Sequence, residues 1–277
     1  MNHNRKFNMF MWKIDLLYIL FFVSACGVMV ERDGAPEVPV DVSSVPDAIP
    51  RDEPHSRYGN PESYEVMGKR YYVLNSSKGF VERGIASWYG TKFDGKRTSS
   101  GETYDMYAMT AAHKTLPLPT YVEVINLENK KSIIVRVNDR GPFHENRIID
   151  LSYAAASKLG ILASGTGLVE IRAINPSTYA SNGKSTPITT VALDNRPISE
   201  FYIQVGAFSQ LTNAEKLRIQ LDSIGKSRIK INQAVVDNKL LYRVRIGPLV
   251  NVDNADQIVD QLIHLGITDY HIVVDGI

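Results

Sequence analysis

Alternation of apolar and polar residues predicts a β-rich segment over residues 67–174. Short runs rich in β-branched and aromatic residues recur there, and turn-forming sequences separate them. One helix is expected, because Ser152 can cap an apolar run over 153–159 that ends at Gly160. Many short strands with few helices in about 100 residues indicate a small β-barrel. The expected strands cover residues 71–74, 84–89, 121–126, 132–138 and 167–174.

Residues 200–277 contain an internal repeat. A shift of 41 residues aligns the segment with itself without gaps, so that Gly206 meets Gly247 and Gly225 meets Gly266. Each half has the pattern of a strand, a helix, a glycine stop and a second strand. The two halves together predict a four-stranded antiparallel sheet with two helices on one face.

Strand alternation assigns the side chains of this sheet to two faces. The apolar members face the helices, and they are Ile203, Val205, Val244 and Ile246. The opposite, uncovered face is expected to carry Tyr202, Gln204, Phe208, Arg243 and Arg245. Aromatic rings beside arginine forks suit carbohydrate binding, since sugar faces stack on rings while guanidinium groups reach hydroxyls and carboxylates. A solvated sheet face without a ligand is an equally good interpretation.

Residues 1–26 have the pattern of a secretory signal. Basic residues precede an apolar run over 16–23, and the small residues Ser24 and Ala25 lead to Cys26. The apolar run is shorter than the roughly 20 residues that a membrane-spanning helix needs. The alternative is a plain anchor helix in which Cys26 is buried.

Two segments are expected to connect the folded parts. Residues 27–66 contain six prolines and nine acidic residues against three arginines, which predicts a disordered tether. Residues 175–199 are rich in Ser, Thr, Asn and Pro and predict a second linker. The expected order is therefore a signal (1–26), a tether (27–66), a β-barrel (67–174), a linker (175–199) and a C-terminal domain (200–277).

Composition narrows the classes of function. A length of 277 residues suits two domains, and a net charge of +1 gives no support for nucleic-acid binding by bulk electrostatics. The single cysteine cannot form an internal disulfide. The six histidines include no pair at the spacing that puts two metal ligands on one helix face. We therefore expect neither a metal site nor a cofactor.

The C-terminal segment resembles the SPOR domain, a peptidoglycan-binding module. The resemblance rests on FYIQVGAF at 201–208 and YRVRIGP at 242–248. It implies binding, through the uncovered sheet face, to glycan strands that have lost their stem peptides. Such strands accumulate at the division septum, so septal placement and contact with division proteins are implied as well.

The β-rich segment resembles the rare lipoprotein A family. Five motifs occur in the family order, at 84–90, 98–102, 110–113, 137–143 and 147–152. They imply a six-stranded double-psi β-barrel. The residues 23–26 resemble a lipobox, which implies acylation of Cys26, and Gly27 after it implies an outer-membrane lipoprotein that faces the periplasm. One departure is Asp94, where many members of the family carry histidine.

The resemblance implies an endolytic lytic transglycosylase. Such an enzyme lets the C6 hydroxyl of N-acetylmuramic acid attack its own C1, which leaves a 1,6-anhydro end. Glu102, His113 and Asp139 match the catalytic positions of the family. Our hypothesis makes Asp139 the general acid/base, gives Glu102 a charge-holding role, and has His113 hydrogen-bond a carboxylate. Exchanging the roles of Glu102 and Asp139 is nearly as well supported.

Three more barrel residues have two interpretations each. Tyr89 is expected to contact substrate, with a place in the core as the alternative. Arg140 is assigned to substrate, with an ion pair as the alternative. Asp150 is interpreted as structural, because it lies near two arginines and just before the helix.

Other functions remain open at this point. A non-catalytic septal protein that binds glycan is the main alternative, since the fold alone does not establish catalysis. A hydrolase that uses water is a third possibility. Amidase or peptidase activity is disfavoured, because the folded part has neither a metal-ligand set nor a nucleophilic cysteine.

Overall fold

A computed structural model describes residues 33–144, 146–181, 201–225, 228–249 and 251–274. The predicted signal with Cys26 lies outside the described residues, as does most of the predicted linker 175–199. Among the helices within these ranges, none is both long enough and apolar enough to cross a membrane.

Six strands close into a barrel, as the sequence predicts. Going round the barrel, the order is β3-β7-β4-β6-β5-β8, with β3/β7 and β4/β6 parallel and the other pairs antiparallel. Fully buried Val124, Ile149 and Ile171 belong to the core. The elements of this part are β1 (Ser63–Val66), β2 (Lys69–Tyr72), β3 (Val81–Tyr89), β4 (Thr110–His113), β5 (Thr120–Asn126), β6 (Ser132–Asp139), β7 (Arg147–Ser152), α1 (Tyr153–Leu159), β8 (Gly167–Ala173) and α2 (Pro176–Ser181).

The predicted helix α1 has the expected ends. The side chain of Ser152 accepts a hydrogen bond from the backbone N–H of Ala155 at 3.1 Å, which satisfies one free donor of the first turn. Gly160 ends the helix with a φ of 81°, a conformation that glycine adopts without steric cost.

The prediction of a disordered tether over 27–66 is wrong for its described part. Residues 33–66 lie along the barrel, and we call residues 33–62 the strap because β1 begins at Ser63. Val42 is only 4% exposed and joins the barrel core. The N–H of Ala48 donates to the carbonyl of Ile134 at 3.0 Å.

Charge pairing with the barrel explains why a segment of this composition is ordered. Asp47 receives a hydrogen bond from Lys158 at 2.7 Å, and Glu53 pairs with Arg136 at 2.9 Å. Two acidic residues of the strap are thus paired with basic residues of the barrel, while others, such as Glu37, stay exposed. A segment that cannot form its own core can still be ordered by the surface of a neighbouring domain.

The C-terminal domain has the predicted sheet. Its strand order is β10-β11-β9-β12, antiparallel throughout, and α3 and α5 supply buried residues to the core formed with the sheet. A single extra helical turn, α4, follows α3. The elements are β9 (Phe201–Phe208), α3 (Leu211–Gln220), α4 (Asp222–Gly225), β10 (Ile229–Val236), β11 (Lys239–Leu249), α5 (Val252–His264) and β12 (His271–Val274).

The C-terminal domain packs against the barrel. Ile85 and Leu168 of the barrel are buried in the same apolar cluster as the core of the C-terminal domain. Arg147 at the start of β7 forms an ion pair of 2.8 Å with Asp256 of α5. The two domains therefore share a mixed apolar and ionic interface.

Candidate functional site

A row of small and acidic residues crosses four neighbouring barrel strands. Ser87 of β3 pairs with Asp150 of β7, Asp150 pairs with Ala112 of β4, and Ala112 pairs with Asp139 of β6. Residues that are directly opposite in a sheet point to the same face, so both carboxyl groups project from one face. Two strand spacings separate their Cα atoms by about 10 Å. Ala112 places only a methyl group between them, and Gly141 passes close to it, since a Cβ on Gly141 would lie 3.7 Å from the Cβ of Ala112 and 3.9 Å from Oδ2 of Asp150.

Asp139 ends β6 and is held through one carboxylate oxygen. Oδ1 accepts hydrogen bonds from the backbone N–H and hydroxyl of Ser99, at 2.7 and 2.6 Å, and from the N–H of Arg140 at 2.7 Å. Among the described residues, Oδ2 accepts no hydrogen bond, and the side chain is only half-buried. Asp139 is therefore oriented through Oδ1 and has Oδ2 available to a ligand.

Asp150 is the second acid of the row. Its Oδ1 accepts a hydrogen bond from the hydroxyl of Ser87. Burial raises the pKa of Asp150 to about 6, although the Ser87 hydrogen bond and the charges of Arg147 and Lys114 act in the opposite direction. The residue nevertheless remains partly exposed. A carboxyl group with these properties can carry a proton near neutral pH.

Glu102 is part of an ionic cluster. Its two oxygens accept from Nη1 of Arg136 at 2.9 and 2.8 Å, and Oε2 also accepts from the side-chain amide of Asn138 at 2.9 Å. Burial acts to raise the pKa of Glu102, but the hydrogen bonds from Arg136 and Asn138 outweigh burial and lower it. Glu53 of the strap binds the opposite edge of the same guanidinium, through Nε and Nη2. Glu102 is consequently ionised, which fits the charge-holding role rather than proton donation.

His113 is buried, at 2% exposure, and contacts neither of the other two predicted catalytic side chains. Nδ1 accepts from the N–H groups of Leu116 and Thr115, at 3.0 and 3.1 Å, so Nε2 carries the proton and faces Glu82 at 3.2 Å. Burial lowers its pKa, which favours the neutral ring. His113 does hydrogen-bond a carboxylate, as the hypothesis required, but that carboxylate belongs to Glu82. The three predicted catalytic residues thus do not form one connected cluster.

The assignment of Arg140 to substrate is wrong in this structure. Its guanidinium donates to the carbonyls of Gly59 and Leu116, at 2.7 and 2.5 Å, and to the side chain of Asn60 at 3.2 Å. These bonds tie the strap to the barrel. An arginine whose planar donors are all directed at protein acceptors acts as a structural clamp.

The preferred place of Tyr89 in the cleft is also wrong. Its ring is 8% exposed and stacks on Tyr104 with centroids 4.2 Å apart. The alternative of a core position is therefore the correct one. Asp94, the departure from the family pattern, accepts from the N–H of Met106 at 3.0 Å and so stabilises the loop after β3.

Comparison with known proteins adds family relationships to this geometry. Residues 81–171 match a family model described as "Lytic transglycolase", and residues 198–272 match the SPOR domain. The chain is 40% identical over 278 residues to "Endolytic peptidoglycan transglycosylase RlpA" of Pseudomonas aeruginosa (strain UCBPP-PA14), with 83% of this chain and 81% of that protein covered. It is 41% identical to the protein of the same name from Vibrio cholerae, with 89% and 90% covered.

The chain belongs to the rare lipoprotein A family. Its barrel is the double-psi β-barrel that this membership implies, and its C-terminal domain is a SPOR domain. Among solved structures, the crystal structure of the RlpA SPOR domain from Pseudomonas aeruginosa is 29% identical, with a TM-score of 0.25. It covers 26% of this chain, and 96% of its own chain is matched.

A β-bulge changes the predicted binding face of the SPOR domain. Arg245 pairs with Gln204, whereas Val244, the residue before it, pairs with Gly206, so Val205 is unmatched. The extra residue reverses the alternation beyond it. Phe208 therefore turns to the helix side and packs against the core, and its predicted place on the uncovered face is wrong.

The rest of that face is less open than the alternation predicts. Tyr202, Gln204 and Arg245 are only 5%, 7% and 7% exposed. Long neighbours lie against them: Nε of Arg245 donates to Gln204 at 3.3 Å, and the ammonium of Lys230 lies 5.6 Å from the ring centroid of Tyr202. Among the five predicted side chains, Arg243 is the most accessible on this face, being half-buried.

Sequence reasoning missed the place of Asp150 in the site. The motif over 147–152 forms β7, which was not among the predicted strands. A signal was present, because Asp150 follows two isoleucines and precedes a leucine. An acid within an apolar strand is costly to bury, so its presence there indicates a candidate functional residue.

Proposed function

We propose that this protein is an endolytic lytic transglycosylase of peptidoglycan. Its substrate is the peptide-free glycan strand, in which it cleaves the bond between N-acetylmuramic acid and N-acetylglucosamine and leaves a 1,6-anhydro end. The observation that carries the proposal is the row in which Asp139 and Asp150 project from one face, held by Ser99 and Ser87. Most glycosidases cleave with a pair of carboxyl groups that flank one bond.

The two acids take different roles. Asp150 donates its proton to the glycosidic oxygen, so that the bond to C1 breaks and the leaving sugar regains a hydroxyl. The C6 hydroxyl then attacks C1 and gives its proton to Oδ2 of Asp139, which accepts no other hydrogen bond among the described residues. Protons are returned to Asp150 and removed from Asp139 by exchange with solvent. A pair of carboxyl groups in unlike environments supports this division of roles.

Glu102 and His113 act as positioning residues in this mechanism. Glu102 binds Arg136 and Asn138, the residue before Asp139, and so fixes the end of β6 against the loop that carries Ser99. His113 orders the chain after β4 through the N–H groups of Thr115 and Leu116. Both remain proposals that activity measurements on variants can test.

Cleavage in ¹⁸O-water tests the proposal. The soluble chain over residues 27–277 is incubated with amidase-stripped glycan strands, and the products are examined by mass spectrometry. We expect anhydro ends without ¹⁸O, because the nucleophile is the sugar's own hydroxyl. Reducing ends that carry ¹⁸O identify a hydrolase, and intact strands identify a binding protein. Either result contradicts the proposal.

Anchoring and septal placement complete the proposed function. We infer that acylated Cys26 holds the protein at the inner face of the outer membrane and that the SPOR domain holds peptide-free strands at the septum. Because the chain contacts the barrel from Asp33 onwards, only six residues, 27–32, lie between the anchor and that contact. The seven Cα–Cα steps from Cys26 to Asp33 reach at most about 25 Å, so the tether is short for as long as Asp33 stays on the barrel.

A further inference from the structure

Three consecutive backbone N–H groups after β3 are directed at the start of the strap. The N–H of Gly90 donates to Oδ1 and Oδ2 of Asp33, at 3.0 and 3.1 Å, and that of Lys92 donates to Oδ1 at 3.1 Å. Between them, the N–H of Thr91 donates to the carbonyl oxygen of Gly34 at 3.0 Å. Successive N–H groups that converge in this way form an anion-binding nest.

The nest lies beside the proposed catalytic acids. Gly90 comes three residues after Ser87, which binds Asp150, and the charge of Asp33 is near enough to contribute to the raised pKa of Asp150. The approach of the strap depends on a missing side chain, because a Cβ on Gly90 would lie 2.1 Å from the carbonyl oxygen of Gly34. The ring of Trp88 borders the same position at 3.0 Å.

The two groups of the strap that bind to the nest indicate which ligand the nest can bind. It receives one carboxylate, from Asp33, and one amide carbonyl, from Gly34, within two adjacent residues. N-acetylmuramic acid presents the same two groups on neighbouring ring carbons: a lactyl carboxylate at C3 and an acetamido carbonyl at C2. In strands that retain stem peptides, the lactyl carboxyl is an amide and carries no charge. A subsite that binds a carboxylate would therefore favour peptide-free strands over peptide-bearing ones.

We propose that the N–H groups of Gly90, Thr91 and Lys92 bind the free lactyl carboxylate and acetamido carbonyl of a peptide-free muramoyl residue, and that Asp33 and Gly34 occupy this subsite in the resting protein. The proposal rests on the proposed function and adds the source of its selectivity. It also makes the strap an internal competitor of the substrate.

The end of the strap can leave the nest without unfolding the rest. Asp33 is exposed, and Val42 is the first residue of the strap whose side chain is buried. Later contacts, such as that of Asp47 with Lys158, stay in place when residues 33–34 move. Displacement by substrate therefore requires breaking only the contacts at the nest.

Asp33→Ala in the soluble chain tests the competition. If the strap fills the nest nine-tenths of the time, its removal lowers KM for peptide-free strands about tenfold. We expect no such gain on strands whose lactyl carboxyls have been converted to methylamides. Glu37→Gln, an exposed acid of the same strap, is the matched control and keeps the KM of the unsubstituted protein. An unchanged KM in Asp33→Ala, or an equal gain on both substrates, overturns the proposal.

A binding measurement separates this proposal from the proposed function. N-acetylmuramic acid is titrated into ¹⁵N-labelled Asp33→Ala, with N-acetylglucosamine as the sugar that lacks the lactyl group. We expect only the first sugar to shift the amide resonances of Gly90, Thr91 and Lys92, and at lower concentration than in the unsubstituted protein. No turnover is needed, so absence of cleavage would leave this result unaffected. Resonances that N-acetylmuramic acid does not move refute the subsite.

Discussion

Replacement of Asp150 by asparagine tests whether Asp150 is a catalytic acid or a structural residue. Asparagine keeps the shape of the side chain and can still accept from Ser87, but it has no proton to donate. Because burial raises the pKa of Asp150 to about 6, its ionised form is unfavourable in the fold. We therefore expect Asp150→Asn to lose activity and to gain stability together, which is typical of a destabilised functional residue.

The size of the stability change follows from proton linkage. The pKa rises from 3.8 to about 6, a difference of about 2 units, which corresponds to about 3 kcal/mol. The contribution of the protonated carboxyl is fully present below about pH 4 and is lost as pH rises through 6. Asp150→Asn is always neutral, so its advantage over aspartate is absent below about pH 4 and reaches up to about 3 kcal/mol above pH 7.

Two measurements on the soluble chain test this expectation. Trp88 is the only tryptophan of residues 27–277, so urea unfolding followed by its fluorescence at pH 4 and pH 8 reports on the barrel. Cleavage of peptide-free strands should fall at least about 100-fold, the usual contribution of a general acid. The unsubstituted protein should lose activity as pH rises through about 6, where the donor deprotonates.

A lower stability of Asp150→Asn than of the unsubstituted protein at pH 8 would refute this reasoning. A structural Asp150 predicts that Asp150→Asn is less stable at pH 8, since the carboxylate would be lost as a partner of Ser87 and Arg147. Full activity in the variant would likewise remove Asp150 from the mechanism. Asp105→Asn, at an exposed aspartate of the same domain, should change neither property by more than the experimental error.

Three further predictions concern other parts of the molecule. Arg136→Met removes the partner that Glu53 and Glu102 share and should lower the free energy of unfolding by about 2 kcal/mol in urea titrations; an unchanged midpoint would contradict the ionic cluster. Phe208→Ala should destabilise the SPOR domain by about 3 kcal/mol, whereas Arg243→Ala should weaken glycan co-sedimentation at unchanged stability; the reverse pattern would restore the original face assignment. Deletion of 200–277 should keep cleavage in solution but abolish septal fluorescence of a fusion protein, and equal septal signals would refute the targeting role.

Local sequence signals predicted the fold well where the cause was local. The cap at Ser152, the stop at Gly160 and the repeat of the C-terminal domain are properties of short segments, and the structure confirms them. The strap was different, because its order depends on pairing with Lys158 and Arg136, which lie far away in the chain. Low hydrophobicity indicates that a segment has no core of its own, and it does not report the surface on which that segment lies.

The candidate site was predicted only in part, because part of it depends on pairing between strands that are distant in the sequence. Residue type and motif marked Asp139 and Glu102, but only the strand register places Asp150 in the row with Asp139. Phe208 was misplaced because one unmatched residue, Val205, reverses the alternation of its strand. A bulge leaves no clear mark in a single sequence, so a face assigned by alternation holds only as far as the first bulge.

Asp139 and Asp150 are proposed to act together on peptide-free glycan. The most direct measurement is the rate at which 1,6-anhydro-muramoyl ends appear from amidase-stripped strands, with the unsubstituted protein, Asp139→Asn and Asp150→Asn compared side by side. We predict anhydro ends from the unsubstituted protein and at least about 100-fold slower release from each variant. Equal rates in all three proteins, or no anhydro ends from the unsubstituted protein, would contradict the claim.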